Sequence, residues 1–469
     1  MNRTKISRAA LAPLLAAMVL AGCASVPPSA VTPAGPAPVQ FKEAAGGRWT
    51  TAAPAEAQPR GEWWKAFADP VLDGLVERAV AGNTGIQESA TRLAQARALV
   101  RRASADRVPQ VGIGAGAVRQ AGAGTATGAS PSTLVTAGAD LSWEVDVFGK
   151  LARARDAASL DAQSREALLQ NTRLMVQAEV AQTYLALRAA DAERGLVRET
   201  VKAYQGSLDL TERRYRGGDV AELDVARVRT ELASTEAEAY ALDRRRAELE
   251  HALAVLVGEP VSHFSLDEAP WTTALPVIPP GVPSTVLARR PDVSAAQGSI
   301  LAAQARLGVA QAAWFPDLAL TASGGFASPD VGDLFRRSAQ AWSIGALLAL
   351  PVFDGGRRQS GVDGAAAQLD AALVGYRAQV LGAFREVEDQ LSALRTLDEQ
   401  AKAQGRAVDS ASRATVLSDS RYRNGMVSQL ELLDARRSEL RNRRAALQVK
   451  AAQYGATVGL VRALGGGWG

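Results

Sequence analysis

The sequence predicts a mainly α protein with a small β part, built from duplicated long antiparallel α-hairpins. Three observations predict it. First, the chain is written twice. Arg214-Tyr215-Arg216-Gly217-Gly218-Asp219-Val220 returns as Arg421-Tyr422-Arg423-Asn424-Gly425-Met426-Val427, an offset of 421 − 214 = 207. Pro109 and Pro316, Lys150 and Arg357, Val180 and Val387, and Leu187-Arg188 and Leu394-Arg395 keep that offset without a gap. Second, residues 132–259 and 352–469 contain no proline. Both tracts can therefore carry uninterrupted helices, since an interior proline costs about 3 kcal/mol. Third, just after Pro109 and again after Pro316 the apolar period switches from that of a helix to that of a strand.

Residues 1–22 read as a signal peptide. Arg3, Lys5 and Arg8 precede an apolar stretch, 9–20, that contains Pro13 and ends in Leu20-Ala21-Gly22-Cys23. The stretch is too short to span a bilayer core of about 30 Å. Leu-Ala-Gly-Cys resembles the lipobox of bacterial lipoproteins. That resemblance implies a diacylglycerol on the Cys23 sulfur, cleavage before it and acylation of the freed amine. Ala24 in place of an aspartate implies sorting to the outer membrane. An ordinary secretory signal with a chance cysteine is the alternative. Residues 23–60 are rich in Pro, Ala and Ser and read as an extended, lipidated tether.

Composition excludes several functions. The net charge is 53 − 49 = +4, and without the three basic residues before Cys23 it is 50 − 49 = +1. A nucleic-acid partner therefore has little support. One cysteine excludes an intrachain disulfide, and two histidines without ligand spacing point to no metal site and no other cofactor. Apolar residues make up 47% but aromatics only 5%, which favours closely packed, alanine-rich helices.

Leu169, Val176, Val180, Tyr184 and Leu187 form a coiled-coil-like stripe. One helix over 151–213 would measure about 95 Å at 1.5 Å per residue. Gly217-Gly218 and Asn424-Gly425 break the two tracts. Both residue types tolerate the left-handed conformation that ends a helix, so each site reads as a hairpin tip. The first repeat is placed at 61–257 with its tip near 216–219, and the second at 284–464 with its tip near 423–426. Residues 258–283, with Pro279-Pro280-Gly281, form a connector, and 465–469 a short tail.

Four short strands follow the helix–strand junctions Pro109 and Pro316. On the clearest, Val135, Ala137, Ala139, Leu141, Trp143, Val145 and Val147 share one face, and Thr136, Gly138, Asp140, Ser142, Glu144 and Asp146 the other. Trp342, Ile344, Ala346, Leu348 and Leu350 oppose Ser343 and Gly345, and Leu318, Leu320 and Ala322 oppose Asp317, Thr321 and Ser323. The stretch 111–118 alternates with glycine and is the weakest. A half-buried soluble sheet would show the same two-faced pattern. No later run reaches about 18 apolar residues, so any membrane crossing must use strands. Four strands cannot close a barrel, whose smallest form has about eight. Open edges in lipid would cost several kcal/mol per backbone group, so such a barrel would have to be shared between subunits.

Lipobox, Trp63-Trp64-Lys65-Ala66-Phe67 with Asp69-Pro70-Val71-Leu72, Arg289-Arg290-Pro291-Asp292-Val293 and Trp314-Phe315-Pro316 together resemble the outer membrane factors of bacterial tripartite efflux systems. The similarity covers the whole mature chain and is strongest to the OprM-like lipoprotein branch, with TolC-like ducts more distant. It implies a homotrimer in outer-membrane lipid. Each protomer would give four strands to a twelve-stranded transmembrane barrel continued by a periplasmic α-helical barrel. It also implies a passive exit duct for an inner-membrane pump of the resistance-nodulation-division (RND) type, joined by a periplasmic adaptor that contacts the tips at Gly217, Gly218, Asn424 and Gly425. In TolC-like ducts acidic residues six and nine positions after the tip glycine form the constriction. Carried over, these are Glu431 and Asp434, with Asp224 in the first copy and Tyr422 beside them. Arg421 or Arg423 would hold the closed state. The position two after Gly425, an arginine in TolC-like locks, is here Val427. Alternatively, these acids are solvated helix residues paired with Arg436 or Arg437.

Asp140, Glu144 and Asp146, expected in the barrel lumen, point to a preference for cations. Four methionines argue against a dedicated copper exporter. Neither His251 nor His263 has a Ser or Asp arrangement around it, and the glycines at 112–116 lack a following helix, so an enzyme is not indicated. The remaining rivals are a duct for type I protein secretion and a periplasmic coiled-coil lipoprotein without a barrel.

Overall fold

The computed structural model describes residues 40–44, 61–121, 131–278, 286 and 288–466. The signal peptide, Cys23, most of the tether, the end of the connector and the last three residues of the tail lie outside the described residues. Helices α1 (Pro70–Gly82) and α2 (Thr84–Ala105) lead into strands β1 (Gln110–Gln120) and β2 (Ser132–Val145). Helices α3 (Lys150–Arg216) and α4 (Glu222–Val257) follow. Then come α5 (Pro291–Ala312), β3 (Asp317–Ser328), β4 (Gln340–Ala349), α6 (Arg357–Arg423) and α7 (Gln429–Ala463). The ends of α2 and α5 differ by 207 residues at both termini, and so do those of α3 and α6. Duplication therefore sets element boundaries as well as sequence.

The chain divides into two compact units. The sheet unit holds Arg92–Glu166 and Ala295–Arg377, and the helical unit holds Pro36–Thr91, Ala167–Ser294 and Ala378–Gly469.

In the sheet unit the four strands lie in the order β1-β2-β3-β4, antiparallel throughout. Gln110 faces Ser142 on β1–β2, and their duplicates Asp317 and Ala349 face each other on β3–β4. The two hairpins thus share one register. Residues directly opposite share a face, so the pairing assigns every side chain. Val111, Ile113, Leu141, Trp143, Leu318, Leu320, Ile344 and Leu348 fall on one face, and Asp140, Glu144, Asp317, Thr321 and Ser343 on the other. The weak glycine-rich stretch is a full strand. On the neighbouring strands glycine is required: on the polar face Gly138 of β2 lies opposite Gly325 of β3, and a Cβ on Gly325 would sit 2.3 Å from the Ala137 carbonyl oxygen. Only glycine admits so close a backbone approach.

Strand gives way to helix at tight turns. Gly149 and its duplicate Gly356 have φ of +73° and +87°. Asp146 accepts hydrogen bonds from the backbone N–H of Leu151 (3.0 Å) and Ala152 (2.7 Å), and Asp354 from Gly356 (3.0 Å) and Arg358 (3.2 Å). Each carboxylate thereby satisfies donors that a helix start leaves open.

In the helical unit, Leu169, Val176, Val180, Tyr184 and Leu187 of the expected stripe are all buried. Trp63, Trp64 and Phe67 pack edge to face and are buried, and Asp69 caps α1 through the Val71 and Leu72 N–H groups. The Asp69 carboxylate also accepts from the Tyr184 hydroxyl (2.8 Å) and the Thr273 hydroxyl (2.8 Å). Burial pushes the Tyr184 hydroxyl up to about 12, so it stays a neutral donor. Connector residues are pinned in the same way, with the Asp267 carbonyl accepting from buried Arg188 (2.7 Å) and the Leu266 N–H donating to Glu250 (2.6 Å).

One part of the tether is not extended. Phe41 is buried against Phe384 with ring centroids 6.4 Å apart, and the Lys42 and Glu43 N–H groups donate to Glu388 at 2.7 and 2.9 Å. Glu43 also pairs with Arg395 at 2.6 Å. A single phenylalanine with a socket and a carboxylate to receive its neighbours overrides the surrounding Pro-Ala composition.

Candidate functional site

Both hairpins end in the same motif. At the first tip Gly218 has φ +82°, its N–H donates to the Tyr215 carbonyl (3.0 Å), and the Asp219 N–H donates to that of Arg214 (2.9 Å). At the second, Gly425 has φ +71°, its N–H donates to Tyr422 (3.0 Å), and that of Met426 to Arg421 (2.9 Å). A left-handed glycine with these two bonds closes a helix by satisfying its last carbonyls. Gly217, Gly218, Asn424 and Gly425 are all exposed. The helices that leave the tips differ: the Ser428 hydroxyl caps α7 by accepting from Glu431 N–H, whereas Ala221 at the start of α4 has no side-chain cap.

The expected gate acids lie just beyond. Glu431 faces Arg421 at 3.7 Å with both side chains half exposed. Asp434 pairs with Arg437 at 3.2 Å, and Asp224 lies 3.7 Å from Arg227. Arg423 turns instead to Asp419 at 2.8 Å. Of the two arginines expected as a latch, Arg421 is the one within reach. Tyr422 differs from expectation. It is buried beneath the Arg214 guanidinium, 5.2 Å from its ring centroid, because a large aromatic body gains more from packing than from exposure.

Sequence reasoning missed a column of arginines on α7 that ties the second hairpin to the first. Arg436 joins Asp419 of α6 (3.1 Å) and the Ser207 hydroxyl of α3, and Arg437 also pairs with Glu231 of α4. Arg444 bridges Glu193 of α3 and Glu238 of α4, each at 2.7 Å. Beneath this column Leu433 of α7 joins the core of Tyr204, Leu208, Val225, Val228 and Leu232. The available signal was the repeated arginine on α7 with no acid at helical spacing to take every one of them.

On the strands, Asp140 lies between Gly112 and Ser323 on the polar face, and Glu144 shares Lys150 with Asp317, both at 2.8 Å. Asp146 does not join them, because its carboxylate is the helix cap described above. The junctions Pro109 and Pro316 sit immediately before β1 and β3.

A sheet with one face apolar over most of its length, feeding paired helices far longer than a globular core requires, defines the class of outer-membrane channels with periplasmic helices. Comparison with known proteins agrees. The outer membrane efflux protein family model matches residues 75–259 and 282–466. The two matches begin 282 − 75 = 207 residues apart, the offset of the internal repeat. The chain is 32% identical to the pyoverdine export outer membrane protein OpmQ of Pseudomonas aeruginosa, over 97% of this chain and 96% of that one. It is 30% identical to the cation efflux system protein CusC of Escherichia coli, over 98% of each. The crystal structure of the CmeC outer membrane channel of Campylobacter jejuni matches with a TM-score of 0.87 at 25% identity, covering 93% of this chain and 94% of that one. The chain belongs to the outer membrane efflux protein family. It is an outer-membrane efflux channel, and the family is one of transport ducts.

Proposed function

We propose that three copies of this chain form the exit duct of a tripartite efflux pump. It conducts small molecules delivered by an inner-membrane pump of the RND type through a periplasmic adaptor. The single observation that carries this reading is the sheet. Val111, Ile113, Leu141, Trp143, Val145, Leu318, Leu320, Trp342, Ile344 and Leu348 share one face, Asp140, Ser142, Glu144, Asp317, Thr321, Ser323 and Ser343 share the other, and the outer strands β1 and β4 have no further strand partner among the described residues. In lipid such a sheet has to close on further copies of itself, and three copies give twelve strands. The polar face then lines a lumen in which Asp140, with the Glu144–Lys150–Asp317 cluster, leaves net negative charge.

At the periplasmic end, Glu431 and Asp434 from three chains converge with Asp224 to form the constriction, and Arg421 serves as its latch. The exposed tips Gly217, Gly218, Asn424 and Gly425 receive the adaptor. Cys23 carries the lipid, and several buried acyl chains at about 0.8 kcal/mol per CH2 make a stable anchor.

Native mass spectrometry of the detergent-solubilised protein tests both parts. The expected particle holds three chains, each starting at Cys23 and carrying acyl mass that Cys23→Ser abolishes. A single-chain particle contradicts the duct. Three chains without acyl mass contradict the anchor alone.

A further inference from the structure

The two edges of the sheet have a definite relation to each other. On β1–β2 and β3–β4 the register is one register shifted by 207 residues. The remaining pairing, β2 with β3, joins the second strand of one repeat to the first strand of the next: Ala139 faces Gly324, Leu141 faces Ala322, Trp143 faces Leu320 and Val145 faces Leu318. We infer that β4 of one chain pairs with β1 of the next copy in that same register, so that Ala346 meets the partner's Ala117 and Leu348 meets the partner's Ala115. The inference rests on the trimeric reading above and adds to it which residues join.

Two further observations support the register. The first is facial parity. Ala346 and Leu348 lie on the apolar face of β4, and Ala115 and Ala117 on the apolar face of β1. A slip of one residue would set apolar against polar positions along the whole seam.

The second is where β4 stops. Strand β2 runs to Val145, whose duplicate is Val352, but β4 ends at Ala349. The last three residues of β2 are those beyond Ser142, where pairing with β1 ends, and they are held by β3 alone. Among the duplicates Leu350, Pro351 and Val352, Pro351 has no N–H to donate and also marks the end of β4; within the chain the three lack the corresponding strand. The same register supplies it, placing Leu350 opposite the partner's Ile113 and Val352 opposite the partner's Val111. In the single chain two of these apolar side chains are bare: Ile113 is 90% and Val352 92% exposed. Of their duplicates, Leu320 has strand neighbours on both sides and Val145 has one in β3, and both are half-buried.

The stagger also closes. Crossing from Val111 through Leu141 to Ala322 lands on the duplicate of Ala115, four residues further along the repeat. A closed barrel has a fixed stagger, and applying this step at every seam keeps it uniform around the circumference.

Four cysteine pairs decide the matter. Directly opposite Cβ atoms lie about 4.5–5.5 Å apart and diagonal ones nearer 7–8 Å, while a disulfide needs about 3.5–4.5 Å. Ala117→Cys with Ala346→Cys, and Ala115→Cys with Leu348→Cys, are the in-register pairs. Ala115→Cys with Ala346→Cys, and Ala117→Cys with Leu348→Cys, use the same four positions two residues out of register. After copper-phenanthroline oxidation of outer membranes, the in-register pairs are expected to give the two- and three-chain ladder on denaturing gels at least fivefold more than the others. A three-chain particle in which the out-of-register pairs link as well or better, or in which none links, overturns the register and leaves the trimer standing. A single-chain particle that never cross-links removes the trimer as well.

Discussion

Replacing Arg290 by alanine is expected to destabilise the helical unit by about 3–5 kcal/mol, the range for breaking a buried ion pair on one side. Arg290 is 5% exposed and ties three segments together. It pairs with Asp292 at 2.6 Å and Glu386 of α6 at 2.8 Å, and donates to the Ala463 carbonyl at the end of α7 at 3.0 Å. Its removal strands the mostly buried Asp292 carboxylate and takes the partner from Glu386, which is about a third exposed. Burial alone would raise the Asp292 carboxyl, but the Arg290 hydrogen bond and charge, with the Val293 N–H and Gln379, outweigh it and hold the group below the usual carboxylate range. A depressed folded value means stability that is present above the unfolded value of about 3.9 and is lost as pH falls through the folded one. Thermal unfolding in detergent should therefore show a midpoint several degrees lower for Arg290→Ala, with a smaller loss on acidification than in the parent. Arg290→Met with Asp292→Asn should recover much of the loss, since a matched apolar replacement strands less charge. A parent-like midpoint for Arg290→Ala would remove this cluster from the account.

The second large effect is expected at the tips. Each half-exposed Arg421–Glu431 pair is worth under about 1 kcal/mol alone. Three around one axis would together hold the closed state by about 2 kcal/mol, and 1.4 kcal/mol is a tenfold shift in an equilibrium. Replacing Glu431 and Asp434 by alanine should raise open-channel occupancy about tenfold or more in planar bilayers. Arg421→Ala should act in the same direction, because it removes the latch and leaves the acids to repel one another. Higher salt should narrow the difference between parent and variants, since exposed charges are screened beyond about 8–10 Å at physiological ionic strength. Conductance unchanged in both variants would assign these acids to ordinary solvated helix surface.

Much of this architecture could be read from residues because local chemistry dictates it. Gly218 and Gly425 end helices through a conformation that side chains disfavour, and proline-free tracts let α3 and α6 run 67 residues each. Strict alternation on β2 fixed its two faces, and pairing carried that division across the sheet. What stayed hidden depends on approach in three dimensions. Nothing near Arg444 in sequence announces Glu193 or Glu238, which reach it from another hairpin. Asp146 has the parity of a lumen residue, but the N-terminus of α3 begins four residues later and takes its carboxylate. Tyr422 neighbours the tip glycine, yet it turns inward beneath Arg214. Phe41 sits in a segment whose composition reads as tether, and only Phe384 and Glu388 explain why it docks. The Arg289–Val293 motif was recognisable as a family feature, whereas its physical reason, the buried Arg290 cluster, is tertiary.

The central claim is that this sheet is a section of barrel wall, with lipid on the apolar face and water on the other. Cysteine labelling in proteoliposomes tests it most directly. Ser323 and Ile344 lie on adjacent strands but on opposite faces. A membrane-impermeant maleimide is expected to modify Ser323→Cys at least ten times faster than Ile344→Cys, while a lipid-soluble maleimide reverses the order. Equal rates with both reagents, or faster aqueous labelling at position 344, would place the apolar face in water and contradict the barrel.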